Sequence, residues 1–180
     1  EIMPSLVGSE MCIRDRNISM RNITVSTCGV VPRIYELMNL NLQLTLTISL
    51  HAPNDEIRSN TMPINNKYKI DELLAACRKY GEKTGRRVSF EYTLIKDVND
   101  SKENALELAA RLKGMNAHVN LIPVNDVKER GNIKSSKKAI LNFQNILKKN
   151  GINATIRRTL GADINASCGQ LRRLKNRGEN

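Results

Sequence analysis

Short apolar segments alternate along this chain with longer stretches in which apolar residues recur every three or four positions. The short segments predict β-strands, and the clearest of them alternates leucine or isoleucine with threonine and glutamine over residues 42–48. The others lie at residues 23–25, 88–95, 119–124 and 154–159. Strands that alternate with helices form parallel sheets with right-handed crossovers, so the pattern predicts an α/β fold.

Residues that commonly start or stop helices mark the intervening segments. Pro32 suits the first turn of the first predicted helix, and Gly81 predicts the end of the next one. Asp100 and Glu103 predict a capping box at the start of the third, and the last helix is predicted over residues 135–149. No glycine-rich phosphate loop follows any strand, which excludes the common dinucleotide and P-loop sites.

Polar side chains occur where several strands are predicted to end. They are Ser26, Ser49 with His51, Glu91 and Asn125. Each of them alone is more often a cap or turn residue, but the carboxyl edge of a parallel sheet is where α/β folds bind ligands. Together they predict a small-molecule site along that edge.

Positive charge is concentrated toward the end of the chain. The 180 residues include 29 Lys and Arg and 18 Asp and Glu, a formal net charge of +11. Residues 128–180 contain 13 basic and three acidic residues, so nearly all of the excess lies there. This asymmetry favours a polyanionic partner, most often a nucleic acid, and the alternative is a basic surface that serves only solubility. Because aromatic residues are only 3%, we expect phosphate contact rather than base stacking.

The four cysteines, Cys12, Cys28, Cys77 and Cys168, are far apart and form no CxxC pair. This spacing argues against a disulfide framework and a self-contained zinc site, and it makes a reducing cytoplasm the default location. Cys77 falls on the apolar face of a predicted helix, where cysteine usually behaves as a small buried hydrophobe. No apolar run is long enough to span a membrane.

The first 16 residues do not fit the pattern of the rest. The segment LVGSEMCIRD at residues 6–15 is similar to one translation of a common sequencing adapter. We therefore interpret residues 1–16 as an adapter artefact, which would make Cys12 foreign to the protein. We expect the remainder to be the C-terminal part of a longer protein.

Four motifs follow in order: VSTCGVVP at residues 25–32, SLHAPNDEIR at 49–58, VNLIPVN at 119–125 and GADINASCGQL at 161–171. Together they closely resemble the radical S-adenosylmethionine enzymes that methylate carbon 2 of adenine in bacterial 23S ribosomal RNA and in transfer RNA. The resemblance implies the C-terminal half of a partial (β/α) radical-SAM barrel. Barrel strands three to six would lie in residues 17–127, and a basic C-terminal extension would occupy residues 128–180.

The resemblance also implies which residues contact S-adenosylmethionine. Ser26 matches a serine after the third barrel strand, and Asn125 matches a sixth-strand asparagine that binds the nucleoside part. Ser49, Leu50 and His51 match the fourth-strand segment that lies along the cofactor.

Cys168 matches the cysteine that carries the methyl group in this family. Carbon 2 of adenine lies between two ring nitrogens and is too electron-poor to attack a sulfonium methyl, whereas a thiolate can do so. In the family a 5′-deoxyadenosyl radical then abstracts a hydrogen from the methylated cysteine, the carbon radical adds to the base, and a second cysteine resolves the crosslink. We hypothesise that Arg157 and Arg158 favour the thiolate and contact RNA phosphate.

The family's 4Fe-4S cluster is bound by a CxxxCxxC loop after the first barrel strand, and this sequence has no such loop. We therefore expect the cluster ligands and the resolving cysteine to lie upstream, and we assign no metal-binding residue in this sequence. Without the cluster, this chain alone is expected to be inactive. The implied partners are 23S ribosomal RNA, transfer RNA and an electron donor, and no association with a membrane is expected. The full-length protein is expected to be a monomer. Two alternatives remain, namely the sister enzyme that methylates carbon 8 of the same ribosomal adenine and a non-catalytic RNA-binding remnant.

Overall fold

Five parallel strands form one sheet in the computed structural model, which describes residues 19–124 and 134–157. The strands are β1 (Thr24–Thr27), β2 (Thr45–Ser49), β3 (Val88–Leu94), β4 (Ala117–Pro123) and β5 (Asn153–Ile156). They are hydrogen-bonded in the order of the sequence, and each neighbouring pair is parallel. This confirms the predicted α/β fold. The unreversed order is typical of a (β/α) barrel wall, whereas a doubly wound sheet reverses its strand order at a switch point.

Helices connect the strands and cover one face of the sheet. They are α1 (Val31–Asn39), α2 (Asp55–Thr61), α3 (Ile70–Thr84), α4 (Lys102–Leu112) and α5 (Lys137–Lys149). Crossovers of one hand between strands in sequence order place all the helices on the same side. The core lies between the two layers, and it includes the fully buried Leu46 and Ile48 of β2, Phe90 of β3 and Val119 of β4.

The opposite face of the sheet is polar. One row runs in register across all five strands and consists of Ser26, Thr47, Ser89, His118 and Asn153. The next row toward the carboxyl ends consists of Ser49, Glu91, Asn120 and Thr155. Such a face would be unusual for a surface packed on a second apolar layer, but it suits the inner wall of a barrel that holds a polar ligand.

Two predicted helix boundaries are wrong, and one helix was not predicted. Gly81 lies inside α3, which ends at Gly85, where a left-handed φ of 65° closes the helix. The capping box of α4 is formed by Ser101 and Asn104 instead of Asp100 and Glu103. Asp100 is already engaged in the preceding turn, where its carboxylate accepts the N–H of Asp97.

The unpredicted helix is α2, which begins after Asn54. The Asn54 side chain accepts the N–H of Ile57 at 3.0 Å, and Asp55 and Glu56 occupy the first turn, where carboxylates stabilise a helix dipole. Its seven residues are too few to show the recurrence of apolar residues that predicts a helix. The N-cap residue Asn54 and the two acidic residues after it were therefore the only indications of this helix in the sequence.

Several sequence predictions fall outside the described residues, namely those for Cys12, Asn125, Arg158 and Cys168. Cys77 is fully buried, as predicted, and burial raises the pKa of its thiol to about 12. None of the described helices is long and apolar enough to cross a membrane.

Candidate functional site

The carboxyl ends of β1 and β2 bring together the described residues that were predicted to contact a cofactor. Ser26 lies in β1 with its side chain exposed, and Ser49 ends the neighbouring β2, half-buried. His51 follows two residues later and is also half-buried. Leu50, by contrast, is fully buried in the core, so we expect it to shape the site without hydrogen-bonding a ligand.

A buried arginine joins these two strand ends. Arg58 of α2 is 0% exposed, and its Nη2 donates to the carbonyl oxygen of Cys28 at 2.7 Å and to that of Ser49 at 3.4 Å. Its Nε donates to the Leu50 carbonyl at 3.3 Å, and its Nη1 donates to Asn65 Oδ1 at 3.0 Å. Every acceptor is neutral. Burial lowers the pKa of Arg58, yet a guanidinium does not deprotonate in proteins, so a positive charge lies directly beneath the site.

His51 is held in an unusual backbone conformation, with a φ of 59°. Its N–H donates to the carbonyl of Glu91 at 3.2 Å, and its ring Nδ1 accepts the N–H of Thr93 at 3.1 Å. Burial, and then the charge of Arg58, lower the pKa of His51 from 6.5 to about 4. The imidazole is therefore neutral at physiological pH.

This shift predicts a loss of stability in mild acid. The unfolded chain takes up a proton at His51 near pH 6.5 and the folded chain only near pH 4, so the unfolding free energy falls by up to about 3 kcal/mol across that interval. Urea unfolding at several pH values measures it. A His51→Asn variant, which tolerates positive φ, should show a flatter profile, and His118→Asn serves as the control for the second histidine. A wild-type profile parallel to that of His51→Asn would contradict this interpretation.

Gly29 makes the close approach between β1 and the helices possible. Its φ is +102°, and an added Cβ would lie 2.8 Å from Leu73 Cδ2 and 3.2 Å from Arg58 Nη2. We predict that Gly29→Ala lowers the unfolding free energy by about 2–4 kcal/mol, because a left-handed alanine and overpacking each cost energy. Gly85→Ala is the matched control, since Gly85 also has positive φ but nothing within 4 Å. We expect it to cost only about 1 kcal/mol in thermal or urea unfolding.

The sequence suggested that Glu91 lies at a strand end, but this prediction is wrong. β3 continues three residues past Glu91 to Leu94. Its carboxylate lies on the polar face and accepts the Asn120 side-chain N–H at 3.0 and 3.3 Å. Thr155 donates to Asn120 Oδ1 at 3.5 Å, and His118 Nε2 lies 2.9 Å from the Thr155 hydroxyl. A polar network thus crosses three strands of the inner wall below the strand ends.

Arg157 is the one predicted RNA-binding residue within the described part. It follows β5 directly, its side chain is exposed, and its N–H donates to the Leu121 carbonyl at 2.8 Å. Because all five strands are parallel, Arg157 lies at the same edge of the sheet as Ser49 and His51.

Sequence reasoning missed three residues whose hydrogen bonds connect the strand ends: Arg58 bonds to the carbonyls of Cys28 and Ser49, the Thr93 N–H bonds to the His51 ring, and the Asn99 side chain bonds to the His51 carbonyl. Arg58 was within the quoted SLHAPNDEIR motif, but no pattern distinguishes a buried arginine from a solvated one. Thr93 acts through its backbone, which no side-chain pattern reports. The buried Asn99 stands in a turn-like NDS sequence that suggests only a loop.

The described residues contain no group of three or more His, Cys, Asp or Glu side chains that could hold a metal ion. Cys28 is exposed near the site, and Cys77 is buried with a raised thiol pKa. The described residues therefore offer no site for an iron–sulfur cluster.

The sequence of this chain matches a known superfamily over more than half of its length. A profile of the Radical SAM superfamily matches residues 6–109. This range includes part of residues 1–16, whose origin stays a prediction. The chain is 60% identical over 159 residues to a probable dual-specificity RNA methyltransferase, RlmN, of Lachnospira eligens, covering 88% of this chain and 45% of that protein. A protein of the same name from Alkaliphilus oremlandii is 61% identical over 157 residues, covering 87% and 46%. The chain thus spans a little under half the length of these relatives.

Two solved structures share the fold. A radical SAM methyltransferase from Sphaerobacter thermophilus superposes with a TM-score of 0.86 at 45% identity, over 94% of this chain and 52% of that one. A domain of a pyruvate-formate lyase-activating enzyme from Bacteroides vulgatus superposes with a TM-score of 0.60 at 20% identity, over 75% and 80%. The second likeness concerns the fold alone.

Proposed function

Because the chain belongs to the radical SAM superfamily, we propose that it is part of an RNA methyltransferase that adds a methyl group to carbon 2 of adenine in 23S ribosomal RNA and transfer RNA. The observation that carries this proposal is the 60% identity, over 88% of the chain, to a relative named as a dual-specificity RNA methyltransferase. The motif around Ser49 favours the carbon-2 enzyme over its carbon-8 sister.

The strand-end residues fit S-adenosylmethionine, which is rich in hydroxyl, carboxylate and ring-nitrogen acceptors. Ser26 and Ser49 offer hydroxyls that both donate and accept, and His51 offers an N–H donor. When bound, S-adenosylmethionine would supply the methyl group, and with an electron from a 4Fe-4S cluster it would also supply the hydrogen-abstracting radical. The residues of this chain would hold the cofactor at the carboxyl edge, with Asn125 contacting its nucleoside part.

Cys168 would accept the methyl group as a thiolate and present it to the base. Arg157 and Arg158 precede it by only about ten residues in sequence. A nearby positive charge lowers a thiol pKa and also attracts phosphate, so these arginines would promote both methyl loading and RNA binding. The exposed Arg157 lies at the carboxyl edge of the sheet, where we propose that the cofactor binds, and this position supports the proposed dual role.

We further propose that the cluster ligands and the resolving cysteine belong to a segment that precedes this chain in the full-length protein. That protein would act as a monomer in the cytoplasm with an external electron donor. The basic residues 128–180 would contact RNA phosphates, and RNA affinity should therefore fall steeply with salt.

The test is to incubate the full-length protein with S-adenosylmethionine, a reductant and unmodified RNA, and to map the new methyl group by mass spectrometry. Methyl at carbon 2 of adenine is the expected result. Methyl at carbon 8 would identify the sister activity. RNA binding with a steep salt dependence, in a protein that never acquires a methyl group on Cys168, would instead support the non-catalytic remnant.

A further inference from the structure

The side chain of Asn99 ties the end of β2 to the end of β3. Asn99 is 0% exposed, and its Nδ2 donates to the carbonyl oxygens of His51 at 2.8 Å and Thr93 at 2.7 Å. Its Oδ1 accepts the N–H of Ile95 at 2.7 Å. Carbonyls can only accept and an N–H can only donate, so these partners fix the orientation of the amide. Both N–H groups of Nδ2 therefore bond to backbone carbonyls at the strand ends.

Asn99 is itself anchored in the core. The Tyr92 hydroxyl donates to the Asn99 carbonyl at 2.8 Å, and Tyr92 is fully buried. The ring of Tyr92 packs against Phe143 of α5 with a centroid distance of 5.1 Å. These contacts connect the backbone of Asn99 to the packed core between the sheet and the helices.

The contacts of His51 determine which of its ring nitrogens carries the proton. Nδ1 accepts the Thr93 N–H at 3.1 Å, so it must offer its lone pair, and the neutral ring carries its proton on Nε2. Within the described residues, Nε2 has no hydrogen-bond partner. Protonation of Nδ1 would break the bond to Thr93, which agrees with the lowered pKa of His51.

Holding a non-glycine residue at a φ of 59° requires support from its surroundings. His51 receives that support on both sides, because its N–H bonds to Glu91 and its carbonyl bonds to Asn99. Asn99 also binds the carbonyl of Thr93, the residue whose N–H meets the His51 ring. The side-chain amide of Asn99 therefore positions the backbone of His51. It also positions Thr93, whose N–H determines the His51 tautomer.

We propose that Asn99 is a positioning residue that holds His51 in the left-handed conformation and in the Nε2–H tautomer, so that His51 presents one fixed hydrogen-bond donor to an acceptor atom of S-adenosylmethionine. The role toward the cofactor rests on the proposed function. The fixed tautomer rests only on the hydrogen bonds above, so the two parts can fail separately.

The tautomer can be read directly by ¹⁵N NMR of the histidine side chains. The chain has only two histidines, and a His118→Asn variant assigns the His51 signals. The expected result is an Nε2–H ring that stays neutral throughout the near-neutral pH range. A ring with its proton on Nδ1, or one that titrates at the ordinary histidine pKa, would overturn the proposal.

Variants then test whether Asn99 is responsible. Asn99→Ala should allow His51 to exchange between tautomers and to titrate nearer the ordinary pKa, and Asn99→Asp should act likewise by placing a carboxylate oxygen against two carbonyls. Tyr80→Phe is the control, since it removes a buried 3.0 Å bond to the Leu44 carbonyl just before β2, at the other end of that strand. It should lower stability but leave the His51 signals unchanged. Unchanged signals in both Asn99 variants would overturn the proposal, and if neither variant folds, the wild-type spectrum still decides the tautomer.

The cofactor role is tested in the full-length protein. Asn99→Ala and His51→Asn should each raise the KM for S-adenosylmethionine by about threefold to tenfold and change kcat less, as the loss of one hydrogen bond predicts. An unchanged KM in both variants would overturn the role of Asn99 while leaving the methyltransferase assignment intact. A wild-type protein that binds no S-adenosylmethionine would instead overturn the proposed function.

Discussion

Replacing Cys168 with alanine in the full-length protein is expected to abolish RNA methylation, with a loss of roughly 10⁴-fold or more, because the nucleophile that accepts the methyl group is removed. Cys168→Ser should be equally inactive, since a serine hydroxyl remains protonated where a cysteine thiolate forms. The measurement is the rate at which labelled methyl from S-adenosylmethionine appears in RNA. RNA affinity should remain close to that of the wild type, because the basic segment is unchanged.

Cys28→Ser is the matched control for that experiment. Cys28 is exposed near the candidate cofactor edge, and its backbone carbonyl accepts a hydrogen bond from Arg58. We expect the variant to methylate RNA at nearly the wild-type rate. If Cys168→Ala kept its activity and Cys28→Ser lost it, the methyl carrier would have been assigned to the wrong cysteine.

Replacing Arg58 with methionine is expected to lower the unfolding free energy by about 3–5 kcal/mol. Methionine fills part of the volume but donates no hydrogen bond. It would leave the carbonyl oxygens of Cys28, Ser49 and Leu50 without this donor, and the Leu50 carbonyl is fully buried. Arg58→Lys should recover little of the loss, because one ammonium group cannot reproduce the planar fork that reaches both strand ends. Urea unfolding monitored by circular dichroism gives the comparison.

Arg33→Met is the control for the loss of an arginine as such. Arg33 forms a surface ion pair with Glu36 at 2.6 Å, and both side chains are about half exposed. Substitutions of half-exposed surface side chains usually change the free energy of unfolding by less than about 1 kcal/mol, so the variant should unfold almost like the wild type. Equal costs for the two arginine variants would show that the buried hydrogen bonds of Arg58 contribute little to stability.

The order of the elements and the polar edge could be predicted because they depend on local patterns. Alternation of apolar and polar residues placed β3 at residues 88–95, and the observed strand is Val88–Leu94. Polar residues at the ends of strands predicted to be parallel indicated that Ser26 and Ser49 lie on one edge of the sheet. Boundaries were less accurate, since Gly81 and Gly85 are equally good stop signals and only packing decides that α3 continues to Thr84.

The hydrogen bonds that organise the edge could not be predicted in the same way. Arg58 reaches the Cys28 carbonyl across 30 residues of sequence, and Asn99 reaches the His51 carbonyl across 48. Their partners are backbone carbonyls, which every residue possesses, so no residue type in the sequence identifies the pairing. The left-handed conformation of His51 is equally hidden, because a histidine at positive φ depends on these distant contacts.

The most direct test of the proposed chemistry is the mass of the tryptic peptide that contains Cys168, taken from full-length protein purified from cells. If Cys168 carries the methyl group between cofactor and RNA, a fraction of that peptide will be heavier by one CH₂ unit, and fragmentation will place the added mass on the cysteine. A Cys168 peptide without added mass, in protein that methylates RNA in the same cells, would contradict the account.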